Sequence, residues 1–274
     1  MLTYPCAKIN IGLNIKAKRA DGYHSVETVF YPIGLTDRLE VIPDSDGGYG
    51  IASMDISGIM LDGEESSNLV VKAYHLLSDR FILPSVLVKL HKSIPPGGGL
   101  GGGSSDGAFM LVMLSRLFNL GLSKEELQLL AGELGSDCPF FIDPVPSLAV
   151  GRGEELTPFL LDIKGLNILL FHPGAGISTV EAYRNVTSAP WSVSLIDALQ
   201  QPLSMWAGLV RNDFEAYAFT KIPLIQEIRD ACYGAGALYS SMTGSGSAVY
   251  ALFKEQREVP ELIRPYLIWE GLLV

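Results

Sequence analysis

Along the first third of the chain, apolar residues recur with a period of two. Ile9, Ile11, Leu13 and Ile15 alternate with Lys8, Asn10 and Asn14, the pattern of a half-buried strand over residues 7–15. Asp21-Gly22 marks a turn, 26–33 reads as a second strand and 39–42 as a third. Residues 43–63 are rich in Asp, Gly and Ser with thin alternation, which predicts an exposed hairpin or loop. The period then lengthens. Ser66-Ser67-Asn68 heads a helix to about residue 80, with Leu69, Ala73, Leu76 and Leu77 near helical spacing. Val86, Val88 and Leu90 form a strand leading into a glycine run, and 108–118 is a helix apolar nearly all round, hence buried. Asn119 and Gly121 end it, and Ser123-Lys124-Glu125-Glu126 is a capping box for a helix with a Leu127, Leu130 and Leu134 stripe and a stop at Gly135.

The pattern resets around 162–165. A strand at 166–171 is followed by a His172-Pro173-Gly174 turn and a helix headed by Ser178-Thr179-Val180-Glu181. Helices are expected at 194–200, 202–211 and 224–233, then strands at 238–242 and 248–253 around a second glycine turn, Thr243-Gly244-Ser245-Gly246-Ser247. A short helix at 260–266 and a strand from 268 close the chain. The class is α+β with two domains, 1–160 and 161–274, and there is no repeat of fixed period.

Composition narrows the function. The 274 residues carry a formal net charge of -10, which argues against a general phosphate-backbone binder such as a nucleic-acid-binding protein. The three cysteines, Cys6, Cys138 and Cys232, have no metal-ligand spacing and fit a reducing compartment. No signal-peptide pattern and no bilayer-length apolar run are visible, so the expected location is cytoplasmic, with no membrane partner.

The least probable stretch is Ile94-Pro95-Pro96-Gly97-Gly98-Gly99-Leu100-Gly101-Gly102-Gly103-Ser104-Ser105-Asp106-Gly107. Glycines can turn backbone N–H groups toward one anion and let it approach closely, and Ser104, Ser105 and Asp106 are N-cap residue types before an apolar helix. A helix N-terminus adds unpaired donors and partial positive charge, so the run predicts a phosphate site built from backbone. A Walker A loop is excluded, because no lysine occurs between Ile94 and Lys124. Gly97-x-Gly99-x-x-Gly102 matches a dinucleotide fingerprint as a string, but two prolines precede it and no acidic residue lies about twenty residues on.

Three blocks together resemble the GHMP kinase superfamily: Pro5-Cys6-Ala7-Lys8-Ile9-Asn10 with Arg19-Ala20-Asp21-Gly22-Tyr23-His24; the glycine run with Leu134-Gly135-Ser136-Asp137-Cys138-Pro139; and Met242-Thr243-Gly244-Ser245-Gly246. The match is loosest at Asp106-Gly107 and Cys138. The resemblance implies a ribosomal protein S5 domain 2-like N-terminal domain, a ferredoxin-like α/β plait after it, and ATP-dependent transfer to an alcohol with Mg²⁺. Ala20-Asp21-Gly22-Tyr23-His24 points to the branch whose small-molecule acceptor carries a cytidine diphosphate group on methylerythritol, in isoprenoid precursor synthesis. On this resemblance Asp137 is the general base or orienting acceptor, with Lys8 paired to it. Pro95, Pro96, Gly97, Gly98, Gly99, Leu100, Gly101, Gly102, Gly103, Ser104 and Ser105 hold the nucleotide, with the Ser104 or Ser105 hydroxyl near Mg²⁺. Asn68 and Lys92 are candidates for the adenosine side. Asn10, Tyr23, His24, Tyr183, Thr243, Gly244, Ser245 and Gly246 belong to the acceptor. The bland alternatives are an exposed strand lysine for Lys8 and a helix-capping acid for Asp137. A monomer or weak homodimer is expected. Another small-alcohol kinase of the superfamily, or a nucleotide-binding regulatory protein without activity, are the rival functions.

Overall fold

The computed structural model describes residues 1–18, 22, 24–44, 48–61, 63–186 and 191–274, with no side chain described at 17, 18 or 52. Tyr23 therefore lies outside the described residues. Numbered in chain order, the strands are β1 (Leu2–Thr3), β2 (Cys6–Lys18), β3 (His24–Thr36), β4 (Arg38–Pro43), β5 (Ile51–Gly58), β6 (Val86–Lys92), β7 (Ser147–Val150), β8 (Glu155–Pro158), β9 (Asn167–Phe171), β10 (Tyr239–Met242), β11 (Val249–Phe253) and β12 (Leu267–Leu272). The helices are α1 (Leu69–Ser78), α2 (Gly102–Leu117), α3 (Lys124–Leu134), α4 (Thr179–Asn185), α5 (Leu195–Leu199), α6 (Trp206–Leu209), α7 (Glu215–Lys221) and α8 (Pro223–Gly234). They form two compact units that are not successive stretches. Residue 160 is a division in chain order, whereas the units follow packing.

The first unit takes Met1–Ala7, Leu35–Pro96 and Gly101–Pro144. Its sheet runs β1-β4-β6-β5, with β5 parallel to β6 and the other neighbours antiparallel. Val86, Val88 and Leu90 of β6 are buried, as are Val70, Ala73, Tyr74 and Leu77 of α1 and Ala108, Met110, Leu111 and Leu114 of α2. Gly107 lets α1 and α2 close up: a Cβ there would lie 2.9 Å from Leu69 Cβ. The capping box of α3 forms as its sequence requires, Ser123 Oγ accepting from Glu126 N and Glu126 Oε2 from Ser123 N. The segment 43–63, expected as an exposed hairpin or loop, contains β5. It is an edge strand with mostly exposed side chains, so burial imposes no alternation on its sequence.

The second unit takes Lys8–Gly34, Gly97–Leu100 and Val145–Val274. One sheet runs β2-β3-β7-β8. The other is antiparallel, order β10-β11-β9-β12, the strand order of the expected plait. Phe171, Ile225, Ile228, Met242, Val249, Ala251 and Phe253 form part of its core. The single helix expected over 202–211 is a 3-10 turn, Leu203–Met205, followed by the four-residue α6, and the helix expected at 260–266 is a 3-10 turn at Arg264–Tyr266. Pro265, inside the expected 260–266 helix, lacks the N–H that an α-helix there would use. Helix α7 was not anticipated.

Candidate active site

In the first unit, strand β6 ends at Lys92 and α2 begins at Gly102, ahead of the expected start at 108. Gly101 is the N-cap, left-handed at φ 71, with no side-chain cap bond, so Ser104, Ser105 and Asp106 are helical residues and not caps. A left-handed glycine can reverse the chain one residue before the helix, which removes the need for a capping side chain. Gly103 is exposed, and a Cβ there would meet nothing within 4 Å; a Cβ on Gly102 would lie 2.8 Å from Ile94 Cγ2. Thus one glycine of the turn is required by packing and its neighbour is open. Ser104 keeps partial exposure, whereas Ser105 is fully buried, its Oγ without a partner among the described residues.

Beneath this turn lies a buried ion cluster. Lys92 is 3% exposed, and its Nζ donates to Asp106 Oδ2 at 2.6 Å and to Asp37 Oδ2. Asp37 Oδ1 accepts Ser93 N at 2.6 Å and Ile94 N at 2.9 Å, which fixes the chain entering the glycine run. Burial pushes the Asp106 carboxyl up to about 7, with Lys92 opposing the shift and Asp37 adding to it. Lys92 is thus enclosed by carboxylates. Asn68, its companion on the expected adenosine side, caps α1 by accepting Val70 N at 2.9 Å. Asp137 is partly exposed at the head of a short 3-10 helix, Cys138–Ile142, and makes no side-chain cap bond to it. Helix capping therefore does not account for this acid. Burial raises the neighbouring Cys138 thiol to about 12, so it is no nucleophile.

In the second unit the remaining segment of the loop, Gly97–Leu100, is tied to strand β2 and to the C-terminal glycine turn. Lys8 N donates to Leu100 O at 3.0 Å, and Lys8 Nζ donates to Gly99 O at 3.0 Å and Asn10 Oδ1 at 2.5 Å, over the Phe30 ring at 4.9 Å. Lys8 is 3% exposed, so it is not an ordinary surface lysine of a strand. Asn10 N donates to Thr243 Oγ1 at 2.9 Å, and the Thr243 hydroxyl lies 3.2 Å from both Asn10 Oδ1 and Gly99 O. Gly99 is at φ 76, and a Cβ on it would lie 2.1 Å from Thr243 O, which only a glycine permits. Lys8, Asn10, Gly99, Leu100, Thr243 and Gly244, dispersed over the chain, therefore form one knot. Ser245 is peripheral to it, its Oγ 3.3 Å from Thr179 Oγ1. Gly97, Gly99 and Gly101 all have φ near 70–76, alternating with Gly98 and Leu100, a curled backbone of the kind that holds an anion on N–H groups. His172, which the sequence leaves structural, packs against this segment, its Cδ2 3.2 Å from a Cβ position on Gly98.

His24 and Tyr183 stack on each other with centroids 5.4 Å apart and planes at 13°, and Phe214 meets Tyr183 edge-on at 4.9 Å. Sequence reasoning missed Asp37, Asp106 and Asn212 as contributors. Asp106 did carry a signal: an acid inside a helix apolar nearly all round needs a buried cation.

Family comparisons agree with this architecture. The profile of the GHMP kinases N terminal domain matches residues 68–143 and that of the GHMP kinases C terminal domain residues 194–266. A 4-diphosphocytidyl-2-C-methyl-D-erythritol kinase of Azobacteroides pseudotrichonymphae is 48% identical over 93% of this chain and 94% of its own. The protein of that name in Bacteroides thetaiotaomicron is 45% identical over 95% of both. A crystal structure of 4-(cytidine 5'-diphospho)-2C-methyl-D-erythritol kinase superposes with a TM-score of 0.76 at 33% identity, covering 92% of this chain and 90% of that one. With its glycine loop, its lysine strand and its second glycine turn all in place, the chain belongs to the GHMP kinases, in the 4-diphosphocytidyl-2-C-methyl-D-erythritol kinase family.

Proposed function

We propose that this protein transfers the γ-phosphoryl group of ATP to the 2-hydroxyl of 4-diphosphocytidyl-2-C-methyl-D-erythritol, a step in the non-mevalonate supply of isoprenoid precursors. The observation that carries this reading is the knot at Lys8. A buried lysine whose Nζ is fixed by Asn10 Oδ1 and Gly99 O, beside a loop of left-handed glycines, is an arrangement for anions of fixed geometry. Phosphoryl transfer asks a protein mainly for position and charge stabilisation.

The donor set fits a nucleotide triphosphate. The N–H groups of 97–103 and the first turn of α2 would hold the phosphates, and Gly103 leaves room for close approach. Mg²⁺ would neutralise phosphate charge, and Ser104, the more exposed of the two serines, is the hydroxyl for it. Asp137 would accept the hydrogen of the acceptor hydroxyl, and Lys8 would stabilise charge on the attacking oxygen. Cytosine would be bound by the His24 and Tyr183 rings, with Tyr23 adjacent in sequence.

The test is an ADP-release assay coupled to a reporter enzyme, comparing the cytidylated methylerythritol with mevalonate, homoserine and galactose. Turnover confined to the first supports the assignment. Turnover of one of the others and not the first refutes the substrate, and no turnover of any refutes the activity.

A further inference from the structure

Residues 211–215, Arg-Asn-Asp-Phe-Glu, are mostly polar in type. Yet Asn212, Asp213 and Phe214 are all at least nine-tenths buried. Each member serves a different part of the second unit's site. Leu13 N donates to Arg211 O and Asp213 N to Leu13 O, both at 2.9 Å, pairing strand β2 at Leu13 with Asn212 by a parallel bridge. Gly12 makes that possible: it sits at φ 66 in the middle of the strand, and a Cβ there would lie 2.5 Å from Leu195 Cδ1. Asp213 Oδ2 then accepts Ile15 N at 2.8 Å. Phe214 backs Tyr183, and Glu215 Oε1 accepts Met242 N and Ser241 Oγ, both at 2.8 Å.

Asn212 occupies the centre. Its Nδ2 donates to Met242 O at 2.9 Å and to Gly244 O at 2.8 Å, while its Oδ1 accepts Phe214 N at 3.0 Å. The two carbonyls it grips flank Thr243, whose hydroxyl receives Asn10 N. We infer that Asn212 is a positioning residue of the phosphoryl transfer: its amide clamps the Met242–Gly244 turn and, through Thr243, sets the place of Asn10, Gly99 and the Lys8 ammonium. The inference rests on the function proposed above. An amide is the group the place demands, because it offers two N–H donors in a fork and one acceptor on a short stem. An aspartate would set a carboxylate against two carbonyls, and an apolar residue would leave both carbonyls buried and unpaired.

The test uses the full chain with Asn212→Asp, Asn212→Ser and, as control, Ser240→Ala, which removes a buried bond from β10 (Ser240 Oγ to Tyr250 O, 2.9 Å) without touching the turn. Misplacing a reacting group costs rate more than binding. In Asn212→Asp kcat for the cytidylated acceptor should therefore fall about tenfold or more, with KM for ATP within about twofold, and Asn212→Ser, which keeps one donor, should lie between. Amide hydrogen exchange at residues 243–247 should quicken about tenfold in Asn212→Asp and not in the control. Exchange needs no substrate, so it tests the clamp even if the acceptor is misassigned. Should Asn212→Asp not fold, the same two readouts on Asn212→Ser decide. Unchanged exchange at 243–247, or a kcat loss no greater than that of Ser240→Ala at equal thermal stability, would overturn the inference. A wild-type chain that turned over a different alcohol would remove the substrate assignment, and the variants would then be compared on that alcohol.

Discussion

Adjacent glycines at the start of α2 should respond to alanine in opposite ways. At Gly103 a methyl group meets nothing within 4 Å, and the residue is helical. Alanine is preferred over glycine there by about 0.5–1 kcal/mol, worth about 2 °C in melting temperature for a chain of this size. If the ATP phosphates lie against this turn, the same methyl stands where an oxygen would come. It imposes a carbon contact of about 3.5–4 Å where an N–H···O bond needs about 2.9 Å. Losing one hydrogen bond to a charged group costs about 1.5–3 kcal/mol, which raises KM for ATP roughly ten- to a hundredfold. Gly102→Ala is the opposite case. Its Cβ would lie 2.8 Å from Ile94 Cγ2 and 3.4 Å from Lys92 Nζ, an overpacking that costs about 1–3 kcal/mol of stability. Thermal melts and ADP-release kinetics with ATP varied at saturating acceptor measure both. A Gly103→Ala enzyme that melts higher and keeps its KM for ATP within twofold would refute phosphate binding at this turn.

Asp137→Asn should lose most turnover while binding ATP almost as the parent does; full activity in steady-state assays would rule out a proton-accepting role. Asp106→Asn should flatten the pH dependence of stability. With the carboxyl at about 7 in the folded chain against its ordinary 3.8, the folded state binds more protons across that window, so stability falls as pH rises through it. Urea unfolding at pH 4 and pH 8 should show the variant gaining on the wild type by on the order of 4 kcal/mol, and equal slopes would mean that Asp106 titrates normally. Because the phosphates would be held by backbone donors on a chain of net charge -10, KM for ATP should stay flat or fall as NaCl rises from about 0.05 to 0.2 M. A steep rise would reveal a cationic surface site.

Local signals carried much of the fold. The capping box at Ser123 and Glu126 formed as read, and the alternation from Ile9 to Ile15 lies in β2, because in both cases one short stretch holds all the information. Strand β5 was invisible for the converse reason: as an edge strand with exposed faces it places no demand on its side chains. The start of α2 was misplaced because serine and aspartate favour caps, whereas a left-handed Gly101 reverses the chain without a side chain. At the site, the residue types of Lys8, Asn10, Gly99 and Thr243 were readable one by one, but their meeting depends on contacts more than ninety residues long. Asn212 had no local signal at all, since its partners are main-chain carbonyls that any sequence supplies.

The two buried lysines show why identity and burial alone do not assign a role. Lys8 and Lys92 are equally inaccessible, at 3% exposure, and both stand near the glycine run in sequence or in space. Lys92 donates to two carboxylates, and in a low-dielectric interior those charges cancel it at short range, leaving it little to offer a phosphate. Its bonds to Asp37 and Asp106 instead join the exit of β6 to the first turns of α2. Lys8 Nζ donates to an amide oxygen and a peptide oxygen at 2.5 and 3.0 Å, which fix its position beside the glycine run. A transition state that gathers negative charge on oxygen is helped by a cation that is held in place. On the proposed function Lys8 would serve the chemistry, and Lys92 would hold the loop on which the nucleotide rests.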